Sequence, residues 1–247
     1  MATEADLLEA FEVHSPDAIR EALREGVSPT DLIQSKRPID SLIEGYLRSS
    51  RFADCLRTMT GAGATVGNPL LEALLLDDDA ALIRLLAMSP EVRHCRLNPL
   101  TAFTSCRGVS ALHVCAEFNS LRCARILLEA GADVNERAEV DAEGMGGHTA
   151  IFHTVNSIFD FCRPIMELLV AKGADLDLRV DAILWGESAS WETAVFDATP
   201  ISYAQCGLYR QFQRREEHVY ATIDYLRQAR SGRAPARRNV PNKYLNS

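Results

Sequence analysis

The sequence lacks long hydrophobic runs, and this limits the classes of protein to which it can belong. No stretch approaches the ~20 uninterrupted apolar residues that a membrane-spanning helix needs. The acidic start, Met1 to Asp6, has neither the positive charge nor the apolar run of a secretory signal. We therefore expect a cytoplasmic protein that does not act at a membrane.

Recognisable catalytic motifs are also missing. The sequence has no G-x-S-x-G nucleophile elbow and no G-x-x-x-x-G-K-[ST] phosphate loop. His94, Cys95, Cys106 and His113 carry atoms that could bind a metal, but their spacing differs from the closely spaced ligand pairs of zinc sites. The sequence therefore predicts no catalytic residue, no cofactor and no metal.

Cysteine usage argues against a disulfide framework. The chain has seven cysteines, an odd number, and no C-x-x-C pair. Most of them fall within helical patterns, where a thiol behaves as a small apolar residue. We interpret them as reduced and structural.

The net charge of −8 is unevenly distributed. Residues 199–247 carry 3 acids and 9 bases, so the acidic excess belongs to the preceding part of the chain. An acidic body repels a phosphate backbone, and the basic end lacks interleaved aromatic residues for stacking on bases. We expect no nucleic-acid partner.

Pairs of short helical stripes recur along the chain. Leu112, Cys115 and Ala116 fall at i, i+3 and i+4, and a second stripe follows from Cys123. The second stripes of successive units begin at Ile19, Phe52, Leu82, Cys123, Ile165 and Val219. These positions lie 33, 30, 41, 42 and 54 residues apart. Since two short helices cannot bury an apolar stripe alone, we expect neighbouring units to stack into one core.

Two segments of the fourth unit point to a family. Residues 110–116 read Ser-Ala-Leu-His-Val-Cys-Ala, and residues 127–135 read Leu-Leu-Glu-Ala-Gly-Ala-Asp-Val-Asn. They resemble the ankyrin repeat, with its T-P-L-H-x-A helix start and G-A-D-V-N end. Residues 148–153 and 168–177 look like a second copy. The resemblance implies that His113 braces neighbouring turns and that the chain binds proteins.

On this basis we predict an all-α fold, an ankyrin-repeat solenoid of about six helix-turn-helix units with extended β-turn or loop connections. One domain covers residues 1–230. It comprises degenerate units in 1–67, the clearest repeats in 108–177 and a capping unit in 199–230. Residues 231–247 form a basic flexible tail in this interpretation.

Three connections are longer than a repeat requires, namely 96–107, 136–147 and 178–198. Residues 176–180 alternate apolar and polar side chains, so a strand pair within 178–198 stays open as an alternative. Surplus loop length in a repeat protein usually lies on one face, which is often the binding face.

The connection 178–198 contains both tryptophans of the chain. In one interpretation the loop folds over the stack and buries them. In the other they form a contact surface, because tryptophan is enriched at binding hot spots. Acidic residues lie beside them and in the preceding connection. The predicted partner-binding residues are Trp185, Trp191, Glu187, Glu192, Asp181 and Glu143.

These features predict a monomeric, non-catalytic module that binds a partner protein through its connection tips and its concave face. Because the predicted site is acidic and aromatic, the partner patch should be basic with an apolar centre. The resemblance is compatible with an inhibitor, an immunity protein or an adaptor. The alternative is an enzyme, or an obligate accessory subunit that completes the active site of a partner.

Overall fold

The computed structural model describes residues 2–99, 101, 103–187, 189–209, 212 and 214–233. Most of the tail predicted for 231–247 therefore lies outside the described residues.

Helices dominate the described part of the chain. The α-helices are α1 Glu4–Glu12, α2 Pro16–Arg24, α3 Pro38–Glu44, α4 Phe52–Gly61, α5 Pro69–Leu75, α6 Asp79–Met88, α7 Ala111–Phe118, α8 Leu121–Glu129, α9 Arg163–Ala171, α10 Pro200–Cys206 and α11 Glu216–Ser231. Three 3₁₀ helices span Pro90–His94, Ala150–His153 and Ile158–Asp160. Most of the stripes in the sequence coincide with helices, in agreement with a helical repeat. The stripe Ile43, Tyr46 and Leu47 was wrong beyond its first residue, because α3 ends at Glu44.

The helices pack in two layers. In the first layer α1 packs on α3, and α5, α7, the helix Ala150–His153 and α10 follow one another in contact. In the second layer α2 packs on α4, and α6, α8 and α9 follow in the same way. The apolar stripes face the space between the layers, where Leu112, Cys115 and Leu127 are buried.

The two Gly-Ala-Asp segments form equivalent turns. Gly131 and Gly173, which follow α8 and α9, both have a φ of 88°, in the left-handed region that glycine adopts at little cost. Asn135 joins these turns. Its side-chain Nδ2 donates to the carbonyl of Gly173 at 3.1 Å, and its Oδ1 accepts from the N–H of Asp175 at 2.7 Å. Neighbouring units are therefore tied together at the same position of the repeat.

The connection after α9 forms a β-hairpin. Strands β1 Val180–Trp185 and β2 Thr193–Ala198 pair antiparallel, with Trp185 opposite Thr193. Isoleucine, leucine, tryptophan, valine and phenylalanine supply these strands, and such side chains suit a half-buried pleated surface. The strand pair left open from the sequence is present. The all-α label was consequently wrong for this segment, and the fold is helical with a two-stranded sheet.

The fifth unit has a shorter first helix than the stripe Ile151, Thr154 and Val155 predicts. The helix is 3₁₀ and ends at His153. Thr154 Oγ1 donates to the carbonyl of Ile151 at 2.7 Å, which competes with continuation of an α-helix.

Residues 45–51, the link between α3 and α4, contact units that are distant in sequence. Arg48 Nε lies 3.2 Å from Glu117 Oε1 on α7, and both side chains are buried. The Tyr46 hydroxyl lies 3.1 Å from Arg214 Nη1. The second unit therefore touches the fourth unit and the segment before α11, and the stack is closed by contacts between units that are not neighbours.

Candidate functional site

The hairpin separates the two tryptophans. Trp185 is 1% exposed, and its ring centroid lies 4.6 Å from that of Phe212 and 5.1 Å from that of Phe103. Its backbone also bridges to Thr104. The indole of Trp185 is thus part of the core, as the first interpretation of the loop expects.

Trp191 lies at the surface. It is 37% exposed, and its ring meets the ring of Tyr46 edge-on at 6.1 Å between centroids. One face of the indole lies against Gly186, which has a φ of +68° and no room for a Cβ atom beside the Trp191 ring. The sharp turn at Gly186 therefore positions Trp191 at the end of the hairpin.

The predicted acidic residues differ in their surroundings. Glu187 is largely buried, forms an ion pair with Arg107 and accepts a hydrogen bond from Ser105 Oγ at 2.8 Å. Asp181, Glu192 and Glu143 are exposed. Glu187 is thus engaged within the chain, and Asp181, Glu192 and Glu143 lie at the surface.

The connection 136–147 lies beside the hairpin. Met145 forms a parallel bridge with Ala182 of β1, and the N–H of Gly146 donates to the carbonyl of Ala182 at 2.9 Å. The turn that carries Glu143 and the strand that carries Asp181 are therefore joined through their backbones. We use the name hairpin surface for the exposed residues of the hairpin and of this turn, namely Asp181, Glu143, Trp191, Glu192 and Phe196. Phe196 is 67% exposed and was not among the residues predicted from the sequence.

A cluster around Arg214 lies beneath the hairpin. The Arg214 Cζ atom lies 5.0 Å from the ring centroid of Phe103, 5.1 Å from that of Trp185 and 5.8 Å from that of Tyr46. Aromatic faces attract a guanidinium, so these contacts hold Arg214 in place. Burial lowers the pKa of Arg214. Within the part of the chain that the structure describes, no carboxylate lies within ion-pair distance of this guanidinium.

A groove of about 780 Å³ opens beside this cluster. Its walls come from α1, the end of α3 and the links between the helices of the second, fifth and sixth units, so we call it the tip groove. It is lined by Leu8, Phe11, Glu12, Ser41, Gly45, Tyr46, Leu47, Ile158, Phe159, Arg214 and Arg215. The sequence did not predict it, because its walls come from residues as far apart in the chain as Leu8 and Arg215. The available signal was the long separation between the two stripes of a unit, from Val155 to Ile165 in the fifth and from Gln205 to Val219 in the sixth.

His113 has the bracing role that the resemblance implied. The N–H of Ser110 donates to His113 Nδ1 at 3.3 Å, so Nε2 carries the proton and donates to the carbonyl of His148 at 3.0 Å. The ring thereby links α7 to the next turn. Burial lowers the pKa of His113 to about 3, in agreement with a neutral imidazole.

A buried polar chain extends from His148. His148 Nε2 lies 3.1 Å from His153 Nε2, and His153 Nδ1 lies 3.0 Å from Glu117 Oε2. The cavity beside Glu117, His153 and Arg48 has a volume of about 10 Å³, too small for a substrate. Although a carboxylate and imidazoles are also found in catalytic sites, here they are enclosed in the core.

The cysteines are free thiols, and six of the seven are buried. Cys106 Sγ lies 4.0 Å from His153 Nδ1, but burial raises the pKa of Cys106 and of Cys162 far above the usual thiol value. Since the thiolate is the nucleophile, these two groups are unreactive at neutral pH. Among the described residues, no three His, Cys, Asp or Glu side chains are grouped so as to hold a metal ion.

The comparisons identify one segment. Residues 107–139 match the family model of the ankyrin repeat, which confirms the resemblance seen in the fourth unit. Ankyrin repeats generally mediate protein–protein interaction and are typically non-catalytic. No curated protein matches the chain. No helix in the described ranges is long and apolar enough to cross a membrane.

Proposed function

We propose that this chain, which carries an ankyrin repeat at residues 107–139, is a non-catalytic module that binds a partner protein through the hairpin surface. The observation that carries the proposal is the position of Trp191. The fold places this large aromatic side chain at the surface, at the end of an insertion that a repeat stack does not need.

The chemistry of the hairpin surface supports a protein partner of a defined kind. Trp191 and Phe196 supply exposed apolar area, and Asp181, Glu192 and Glu143 are exposed carboxylates of the hairpin and of the turn beside it. Interfaces commonly place aromatic residues at the centre and charged residues at the rim. The patch of the partner that complements the hairpin surface is therefore basic with an apolar centre. Trp185 contributes by packing beneath the hairpin and supporting it, and Glu187 by pairing with Arg107.

Two variants test this function. Affinity capture from native lysate with the full chain should retain a stoichiometric partner, whose Kd is then measured with purified proteins. Trp191→Ala should weaken binding about thirtyfold, which corresponds to about 2 kcal/mol. Removal of the exposed charges in Asp181→Asn with Glu192→Gln should slow association more than it changes dissociation, and reduce its dependence on salt.

Met88→Ala provides a matched control, because Met88 is an exposed apolar side chain on α6. It should leave the affinity unchanged. If Trp191→Ala has the melting temperature and the affinity of the wild type, the hairpin surface is not the binding site. A bound small molecule that the chain converts would instead support the alternative of an enzyme.

A further inference from the structure

The tip groove has the size and the lining of a binding site. Its volume of about 780 Å³ lies within the range of about 300–1,000 Å³ that ligand pockets have. Leu8, Phe11, Leu47, Ile158 and Phe159 supply apolar side chains to its walls. Among the described residues, its lining and the hairpin surface have no member in common, and Tyr46 of the groove meets Trp191 of the hairpin surface.

Phe159 is held at the groove in a strained conformation. Its φ is +53°, in the left-handed region that bulky side chains rarely occupy, and Asp160 follows at +57°. The side chain nevertheless stays 60% exposed, so little burial offsets the strain. The Arg215 Cζ atom, 5.2 Å from the ring centroid, holds the phenyl ring. Backbone strain of this kind persists mainly where function requires the geometry.

The groove also carries positive charge from two arginines. The Arg214 guanidinium contacts aromatic rings and carbonyl groups, and within the described ranges it has no carboxylate partner. The side chain of Arg215 is mostly exposed, and its Nη1 atom lies 3.8 Å from Glu217 Oε1. An exposed ion pair at this distance is weak. An occupant with a carboxylate would complement these two cations.

Glu12 on α1 makes the charge distribution of the groove asymmetric. It lines the groove together with the two arginines. A carboxylate on the occupant is repelled by Glu12 and attracted by Arg214 and Arg215. The occupant is thereby oriented with its acidic group towards the segment before α11.

We propose that the tip groove binds a short apolar segment of a partner protein that carries an acidic side chain. Its apolar side chains pack against Phe159 and the walls from α1, and its carboxylate faces Arg214 and Arg215. This site is separate from the hairpin surface, so the inference does not depend on the function proposed above.

Synthetic peptides test the chemistry directly. The probes are three pools of C-amidated octapeptides. In every pool four positions vary among Leu, Ile, Phe and Trp. One further position is fixed, as Glu in the first pool, Gln in the second and Lys in the third. A fourth pool has Gln at that position and a free C-terminal carboxylate. Affinity selection on the full chain, read by mass spectrometry, should retain the Glu pool in preference to the other three.

The best retained peptide then tests the location by fluorescence polarisation. Phe159→Gly should weaken its binding about tenfold without lowering the melting temperature, because glycine adopts the left-handed conformation freely. Arg215→Gln should weaken binding about threefold, as loss of one partly exposed charge does. Phe196→Ala removes an equally exposed phenylalanine from the hairpin surface and should leave peptide affinity unchanged.

Each opposite result overturns a defined part of the proposal. Equal retention of the Glu and Gln pools would rule out recognition of a carboxylate. Preference for the free-terminus pool would show that the carboxylate comes from a chain end and not from an acidic side chain. Unchanged affinity in Phe159→Gly would place the peptide elsewhere. The affinity of the hairpin partner should not change in Phe159→Gly, so failures of the two proposals are distinguishable.

Discussion

Three buried histidines couple the stability of the fold to pH. Burial is the largest cause of a lowered pKa in His14, to about 4, in His113, to about 3, and in His148, to well below its usual value. In the unfolded chain each of them has a pKa near ~6.5. Below that pH the unfolded state therefore binds protons that the folded state does not, and the folded state loses stability.

The expected size of this effect is large. A histidine that stays neutral in the folded state costs up to about 1.4 kcal/mol per pH unit below ~6.5, so the combined cost by pH 5 amounts to several kcal/mol. That is comparable to the whole stability of a typical domain, about 5–15 kcal/mol. Urea unfolding followed by circular dichroism should give a constant free energy of unfolding from pH 8 to 7 and a steep fall from 6.5 to 5. His94→Gln, at an exposed position, should leave this profile unchanged. A flat profile down to pH 5 would show that the buried rings accept protons in the folded state.

At the residue scale the sequence predicted what repeats from unit to unit. The stripe positions Leu112, Cys115 and Leu127 are buried, and His113 braces the next turn. The environment of Trp185 could not be chosen from the sequence, because its burial depends on Phe103 and Phe212 from other connections. Arg214 was missed for the same reason, since its contacts cross most of the chain and leave no local pattern.

At the element scale, the end of the hairpin depends on Gly186. A Cβ atom there would overlap the ring of Trp191, and the φ of +68° would strain any L side chain. Gly186→Ala should therefore displace Trp191 and lower stability by about 1–3 kcal/mol. Iodide quenching of tryptophan fluorescence should increase, because the displaced indole becomes more exposed.

Gly131→Ala separates the two causes. Gly131 also has a positive φ, but no atom lies within 4 Å of the position of its Cβ. Gly131→Ala should therefore lower stability only through the backbone strain of a positive φ, and it should leave the iodide quenching unchanged. Equal quenching of both variants and the wild type would mean that Trp191 does not depend on Gly186 for its position.

The same elements show why strands were harder to predict than helices. The helix pairs were predictable because the i, i+3, i+4 spacing recurs through the chain. Residues 182–185 read Ala-Ile-Leu-Trp, an apolar run that periodicity alone cannot assign to a strand or a helix. Pairing with β2 decides it, and pairing is a contact between distant residues. The tip groove is formed by links between helices, where no periodic pattern exists.

At the scale of the whole molecule, closure of the stack changes how it should unfold. In an open repeat array each unit contacts only its neighbours, and unfolding can proceed unit by unit. Here the Arg48–Glu117 pair joins the second unit to the fourth, and Tyr46 joins the second unit to Arg214. These contacts join units that are not neighbours, so the described part should unfold as one cooperative unit.

The buried Arg48–Glu117 pair provides the test of this cooperativity. In wild-type protein, urea transitions followed by far-ultraviolet circular dichroism, which reports all helices, and by the fluorescence of Trp185 and Trp191 should coincide. Glu117→Gln leaves the Arg48 guanidinium buried without its carboxylate and should lower the free energy of unfolding by about 3–5 kcal/mol. Both transitions should shift together, because loss of the link weakens the whole closed stack.

Glu129→Gln, an exposed acid at the end of α8, should change stability by less than about 0.5 kcal/mol. If the dichroism of the wild type falls in two steps, with fluorescence following only one of them, the units unfold independently and the contacts of residues 45–51 do not couple them.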